Sequence, residues 1–555
     1  MKLSLWKPLL LLLPFLSLHA QDFPATSMNK SDWEATGAQW RDALSISVHP
    51  FEDKMELTNG TGILFVNGKS VLKSKKKFSD YKIEFEVLQN KETKASFILG
   101  NGLKLNLDQS ANQKNGKFGS IVTANNAVQK PKQEVCKLPG LWQKVELAYT
   151  SPVNGGLAVL EKVVLNDVIV FENYIVQNPT LEPTSIAFDV SDGLLAVKNV
   201  KYIELGYRTP ISLSNLNYTL QETHGWQEEW AATETAPIKG KSKDLQIDIP
   251  HDFRWFSIDY TGDMDVAQTD KYAITIEYSG FGYLKIDGKK VLGADDMVNR
   301  QPLTALIELE KGKHSFEYFY RRTWQKPAFG LYVSGSDFKP YGLHPYKSLP
   351  APQLPGGIFE NPTGTRAQMI RSFMDFKGEK KTTTLSIGTA ERKNYSIDLV
   401  DASMLYAWKG DFADVTEMWF NRGEPQLLKP LGQVVTLSGK PSFFLGKDDV
   451  VLFKEYFIDD RNLPTYLHTL NGSAVSQKIE PVKNGFEFTI SAENKDVNYL
   501  LGTGEKVEKV GDTLYRIDDY YIQLAKKVAL EIKTENGISS LSGKANAIES
   551  FKLIW

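Results

Sequence analysis

Alternation at period two is the feature of this chain that most restricts its fold, and it is clearest between Tyr272 and Tyr318. Apolar residues recur at Tyr272, Ile274, Ile276 and Tyr278, then at Phe281 and Tyr283, and one residue out of step at Leu284 and Ile286. Successive side chains of a strand point to opposite faces, so this pattern predicts half-buried antiparallel strands. Asp287-Gly288 between apolar runs predicts a two-residue hairpin joining Leu284–Ile286 to Val291–Leu292. Gly312, ahead of His314, Phe316 and Phe319, marks a further turn and strand.

A chain of 555 residues is too long for one core, so several domains are expected. With 42% apolar and 24% charged residues the composition is that of a globular protein. Lys+Arg 65 against Asp+Glu 67 leaves a net charge of -2, which offers no basic field for nucleic acid or an anionic membrane surface. The start, MKLSLWKPLLLLLPFLSLHAQD, has Lys2 and Lys7 ahead of an apolar run from Pro8 to Leu18. It reads as a secretory signal, residues 1–20, cleaved after Ala20, with a periplasmic or secreted product. No later stretch is apolar enough to span a membrane. Cys136 is the single cysteine, so an intrachain disulfide, a cysteine zinc site and a CxxCH haem attachment are all excluded.

Taken in order, the chain reads as all-β, a tandem array of β-sandwiches. Residues 21–206 form the first, with alternation at Tyr81, Ile83, Phe85 and Val87, and again at Leu103, Leu105 and Leu107, and with Asn166-Asp167 as a turn inside Val163–Phe171. The pieces Phe78-Ser79-Asp80-Tyr81, Gly116–Ser120, Leu138–Leu147 and Val163–Phe171 resemble those of the 3-keto-disaccharide hydrolase family. That resemblance implies a concanavalin A-like jelly roll with carbohydrate as substrate. Gln143 and Asp167 depart from the family's usual Asn and Gly, and GLKLNLDQ carries Asp108 as its only acid.

Residues 207–225 read as a connection, and 226–341 as a second sandwich. Phe253–Asp259, Tyr260-Thr261-Gly262, Tyr272, Ile286–Lys289, Val291, Leu309, Gly312 and His314 are similar to a protective-antigen-type sugar-binding domain. The loop Ser279–Gly282 lacks the acids of that family's calcium-dependent members. Residues 342–364 are a Pro/Gly-rich linker, and 365–555 a further C-terminal β-rich domain.

Glycoside hydrolysis needs two facing carboxyl groups. In the first domain Asp108, Glu134, Asp189 and Asp192 are the acids in or near predicted loops. The histidines fall at no metal-ligand spacing, and no cofactor is expected. Asp259, Asp263 and Asp265 around Gly262 read as a polar turn in preference to a calcium site. The densest candidate for sugar contact is LYAWKGDFADVTEMWFNRGEPQ: Trp408 and Trp419 as stacking platforms, and Asp411, Asp414 and Arg422 as hydroxyl partners. The competing reading packs these aromatics in the core and pairs Arg422 with Asp414. The expectation is a carbohydrate-active protein acting on a glycoside or 3-keto-disaccharide through its N-terminal domain. The alternative is a non-catalytic glycan-binding multidomain protein.

Overall fold

A computed structural model describes residues 25–555, except 101, 112, 114–115, 152–156, 178–181, 207, 226–230, 300–301, 324–325, 346–347, 349–356 and 420–425. The predicted secretory signal and Arg422 therefore lie outside the described residues. The chain is almost entirely β, in tandem sandwiches, and divides into two compact units. One contains 202–353; the other joins 27–201 to 354–555.

In the second unit, 27–201 forms two facing sheets. One runs, in spatial order, Val168–Ile175, Val159–Leu165, Gln143–Thr150, Tyr81–Gln89, Leu194–Glu204, Met55–Asn67, Arg41–Val48. The other runs Val128–Gln129, Ile121–Val122, Leu103–Asn106, Lys94–Gly100, Ala187–Asp192, Ser70–Ser74, Trp33–Gly37. The alternating residues meet between them. Phe85 of the first sheet lies 4.7 Å from Phe97 and 5.0 Å from Phe188 of the second, ring centre to ring centre. Asn166 and Asp167 both have positive φ, 50° and 65°, as a two-residue hairpin turn of mirror-image type requires.

Residues 354–555 add a five-stranded sheet, Gln368–Phe376, Glu379–Gly388, Lys393–Asp398, Ser403–Lys409 and Gln433–Thr436, and an eight-stranded sheet that begins at Val451–Ile458. Most of the segment RAQMIRSFMDF forms the strand Gln368–Phe376. The two sheets share a core in which the Tyr395 and Tyr466 hydroxyls meet at 3.0 Å. Leu138 and Leu141 of the first sandwich are buried in this same core. Their segment is fixed by hydrogen bonds: the Tyr521 hydroxyl donates to Pro139 O at 2.8 Å, and the Arg516 guanidinium to Gly140 O at 2.9 Å. Gly140 has φ +79°, and a Cβ there would stand 2.2 Å from Val48 O, so only glycine fits.

His468 is fully buried beside this core, and its Nε2–H donates to Leu399 O at 2.8 Å. Nδ1 has no partner among the described residues, and burial pulls the imidazole pKa below its ordinary value. A lowered folded pKa means that the contribution of His468 is complete above the unfolded value of about 6.5 and is lost as pH falls below it. The thermal midpoint should therefore drop on acidification from neutrality, and this drop should be smaller in His468→Gln.

The first unit packs the six-stranded sheet Ile238–Lys241, Ile211–Glu222, Phe256–Val266, Gly312–Arg322, Gly280–Ile286, Lys289–Asn299 against the four-stranded sheet Leu303–Leu309, Asp270–Tyr278, Phe329–Ser334, Tyr341–Gly342. Segment 207–225, read as a connection, is instead largely the twelve-residue strand Ile211–Glu222. Its polar residues misled because one face of an antiparallel strand meets solvent. The turn at Asp287-Gly288 forms as expected, with φ 53° and 73°, and Leu284 pairs with Leu292. The step in the alternation has a physical resolution. Gly282, Leu284 and Ile286 share the buried face, while Tyr283 lies on the other, stacked on Phe319 at 5.1 Å. Phe281, on that outer face, is covered by the Arg321 guanidinium at 4.0 Å.

His314 is held by Asp287 Oδ2 at 2.7 Å and Glu310 O at 2.8 Å, which raises its pKa. Between Asp263 and Asp265, considered above for calcium, stands the Lys313 ammonium, 3.0 and 3.1 Å from the two carboxylates.

Candidate functional site

The four acids singled out in the first domain occupy different environments. Asp108 accepts the Ala95 N–H at 3.0 Å and so caps a sheet end. Asp189 lies on the outer face of its sheet, 3.5 Å from the Lys104 ammonium. Asp192 is well exposed at the end of the same strand, 4.0 Å from Lys94. Glu134 lines a concavity.

That concavity, of about 220 Å³, lies within the second unit and is bounded by Gln133, Glu134 and Cys136 on one side. Glu391, Arg392, Lys393, Lys409 and Gly410 form the other. Gln133 locks the two sides together. Its side-chain amide donates to Leu431 O at 3.0 Å, and its carbonyl accepts the Asp411 N–H at 3.3 Å. Behind the loop, Gln143 Oε1 accepts from Lys137 N at 3.0 Å and Asn166 Nδ2 at 2.7 Å, and Asn166 Nδ2 also reaches Val135 O at 2.7 Å. The departure at position 143 thus supplies the buried acceptor that shapes this loop.

The electrostatics of the pocket follow from sheet register. Lys393 and Lys409 are direct cross-strand partners, so two ammonium groups share one face, an arrangement that disfavours charging both. Burial first, and the Lys393 charge second, hold the Lys409 amine down at about 7. It donates to the main-chain oxygen of Trp555 and sits 4.6 Å from that indole's centre. A pKa near 7 leaves a sizeable neutral fraction in which the amine is nucleophilic. Acylation at neutral pH should modify Lys409 ahead of the surface lysines, as read by peptide mass spectrometry. Cys136 is the opposite case. Burial pushes its thiol up to about 12, and Sγ lies 3.2 Å from Gln109 Oε1, so it is a packed residue and not a nucleophile. Glu391, which the sequence reading missed, is paired with Arg461 at 2.7 Å. Nothing local marks it in the sequence, because only the fold brings it opposite Glu134.

The sugar-contact candidates are not gathered around this pocket; none of the described four lines it. Trp408 is fully buried, stacked on Phe412 with ring centres 5.9 Å apart and planes 9° from parallel, and its Nε1–H donates to Phe412 O at 2.8 Å. Its faces are used in packing, which corrects its assignment as a platform. Asp411 is ion-paired with Arg392 at the pocket's edge. Asp414 Oδ1 accepts the Thr416 N–H at 2.9 Å, a local turn just ahead of the helical turn Thr416–Trp419. Trp419 is 54% exposed among the described residues.

Residues 22–203 match the family model described as a 3-keto-alpha-glucoside-1,2-lyase-like domain. No curated protein matches the chain. Two solved structures from Parabacteroides distasonis, both assigned as glycosyl hydrolases, are similar at 12% and 15% identity. They cover 30% and 29% of this chain and 98% and 87% of their own, each with a TM-score of 0.20. An anti-sigma factor domain-containing protein from Clostridium clariflavum shares 13% identity over 52% of this chain and 85% of its own, with a TM-score of 0.19. Scores this low define no common fold over the chain.

Proposed function

We propose that this is an exported, periplasmic or secreted carbohydrate-active protein that hydrolyses a glycoside or 3-keto-disaccharide in the pocket between Glu134 and Glu391. The observation that carries the reading is one concavity lined by a carboxyl group from each side. One of them belongs to the segment matched to the glucoside-lyase-like family. Hydrolysis with a general acid and a second carboxylate needs such a pair. Lys393 and Lys409 add donors suited to sugar hydroxyl or keto oxygens, and the partly buried setting strengthens each contact. Residues 226–341 are read as an accessory sugar-binding module of protective-antigen type, and Trp419 as a separate sugar-stacking position.

The test is incubation of the full chain with a glycan panel that includes 3-keto-glucosides, with detection of both binding and products. Release of a free sugar supports the proposal. Binding without turnover selects the non-catalytic glycan-binding alternative, and absence of both removes carbohydrate as the partner.

A further inference from the structure

The eight-stranded sheet ends at the strand Val451–Ile458, sequence VLFKEYFI, which among the described strands pairs only with Pro464–Leu470. No described strand pairs with its other edge, and Val450, Leu452, Phe457 and Ile458 are 52–58% exposed. Open apolar edges invite another strand, and proteins ordinarily blunt them with charge or a bulge. This edge has both, in an unusual arrangement. The pairing register passes from Phe453↔His468 to Glu455↔Leu467, so Lys454 is an inserted bulge residue. Neither Lys454 nor Glu455 has an ion-pair partner among the described residues.

The bulge changes which residues share a face. Val451, Phe453, Tyr456 and Ile458 oppose Leu470, His468, Tyr466 and Pro464, whereas Leu452, Glu455 and Phe457 lie on the other face. Consider a second copy placed antiparallel along the open edge by a two-fold axis normal to the sheet, between Lys454 and Glu455. It would set Val451 against Ile458, Leu452 against Phe457, Phe453 against Tyr456, and Lys454 against Glu455, each pair occurring twice. Such an axis keeps faces unchanged, so directly opposed residues must already lie on one face. In a regular strand, residues an odd number of positions apart would lie on opposite faces. Here the inserted residue brings the apolar partners into phase. Every apolar side chain then meets an apolar one, and each unpaired charge meets its opposite.

We propose that Val451–Ile458 is a homodimerisation edge, with a second copy of this chain as its occupant. Self-complementarity in both charge and face favours a like strand over an unrelated one. The test is sedimentation equilibrium of the full chain over a range of concentrations, on wild type, Lys454→Glu, Glu455→Lys and the double reversal. Each single reversal puts like charges opposite each other at both symmetric positions and should weaken dimerisation roughly tenfold or more. The double reversal restores opposite charges and should recover the wild-type constant. Leu452→Ser with Phe457→Ser should give monomer at an unchanged melting temperature. A wild type that is monomeric at every concentration overturns the proposal. So does a dimer indifferent to the single reversals, or one that the double reversal fails to rescue.

Discussion

Glu134→Gln and Glu391→Gln are each expected to lower turnover of a productive glycoside by about 10²–10⁴-fold, the range lost when a positioned acid or base is removed. Both side chains line the pocket from its two sides, and neither belongs to a hydrophobic core. The amide keeps the shape of the carboxyl group but neither donates nor takes up a proton at working pH, so folding should be intact while chemistry is lost. Steady-state kinetics beside a melting curve separates the two effects. If both variants retain wild-type turnover, the pocket is not the catalytic centre. The outer sheet face around Lys104 and Asp189 would then be the next place to examine.

Trp408→Ala should cost about 3–5 kcal/mol of stability, the usual consequence of emptying a large aromatic site in a core. Trp408 packs with Ile370, Met374, Leu405, Phe412, Val415 and Leu428 in a compact apolar cluster, so its removal leaves a void that these neighbours cannot all close. Its indole N–H also donates to the Phe412 carbonyl at 2.8 Å, and the alanine would leave that oxygen with only the longer bond from the Leu431 N–H at 3.4 Å. Trp419→Ala, eleven residues on and well exposed, should change stability by less than about 0.5 kcal/mol. Denaturant unfolding of the pair checks the contrast. Equal losses would show that the packing around Trp408 contributes little.

These two tryptophans also show what the sequence could reveal. Strand and turn positions were legible because they depend on local rules: period two at Tyr81–Val87, and positive φ at Asn166-Asp167 and Asp287-Gly288. A polar strand such as Ile211–Glu222 was not, since its solvent face dilutes the alternation. Within LYAWKGDFADVTEMW, composition suggested sugar contact but could not tell Trp408, turned inward, from Trp419, turned outward. Glu134 was visible as an acid near a loop. Its opposite number, Glu391, lies more than 250 positions away and is brought near by a register that no local pattern records. The cross-strand meeting of Lys393 and Lys409 is of the same kind.

The union of 27–201 with 354–555 bears on how the chain is made. The Tyr521 hydroxyl that holds Pro139 lies 382 residues further along the chain. At roughly 5–20 residues per second, ribosomal synthesis separates the two by about 20–80 s. Leu138 and Leu141 belong to a core whose other members emerge last, so a nascent first sandwich must carry them uncovered while the whole of 202–353 is produced. Long waits with exposed leucines favour aggregation or capture by a holding chaperone. A fragment ending near residue 206 inherits the same unmet surface, and should be far less soluble than the full chain.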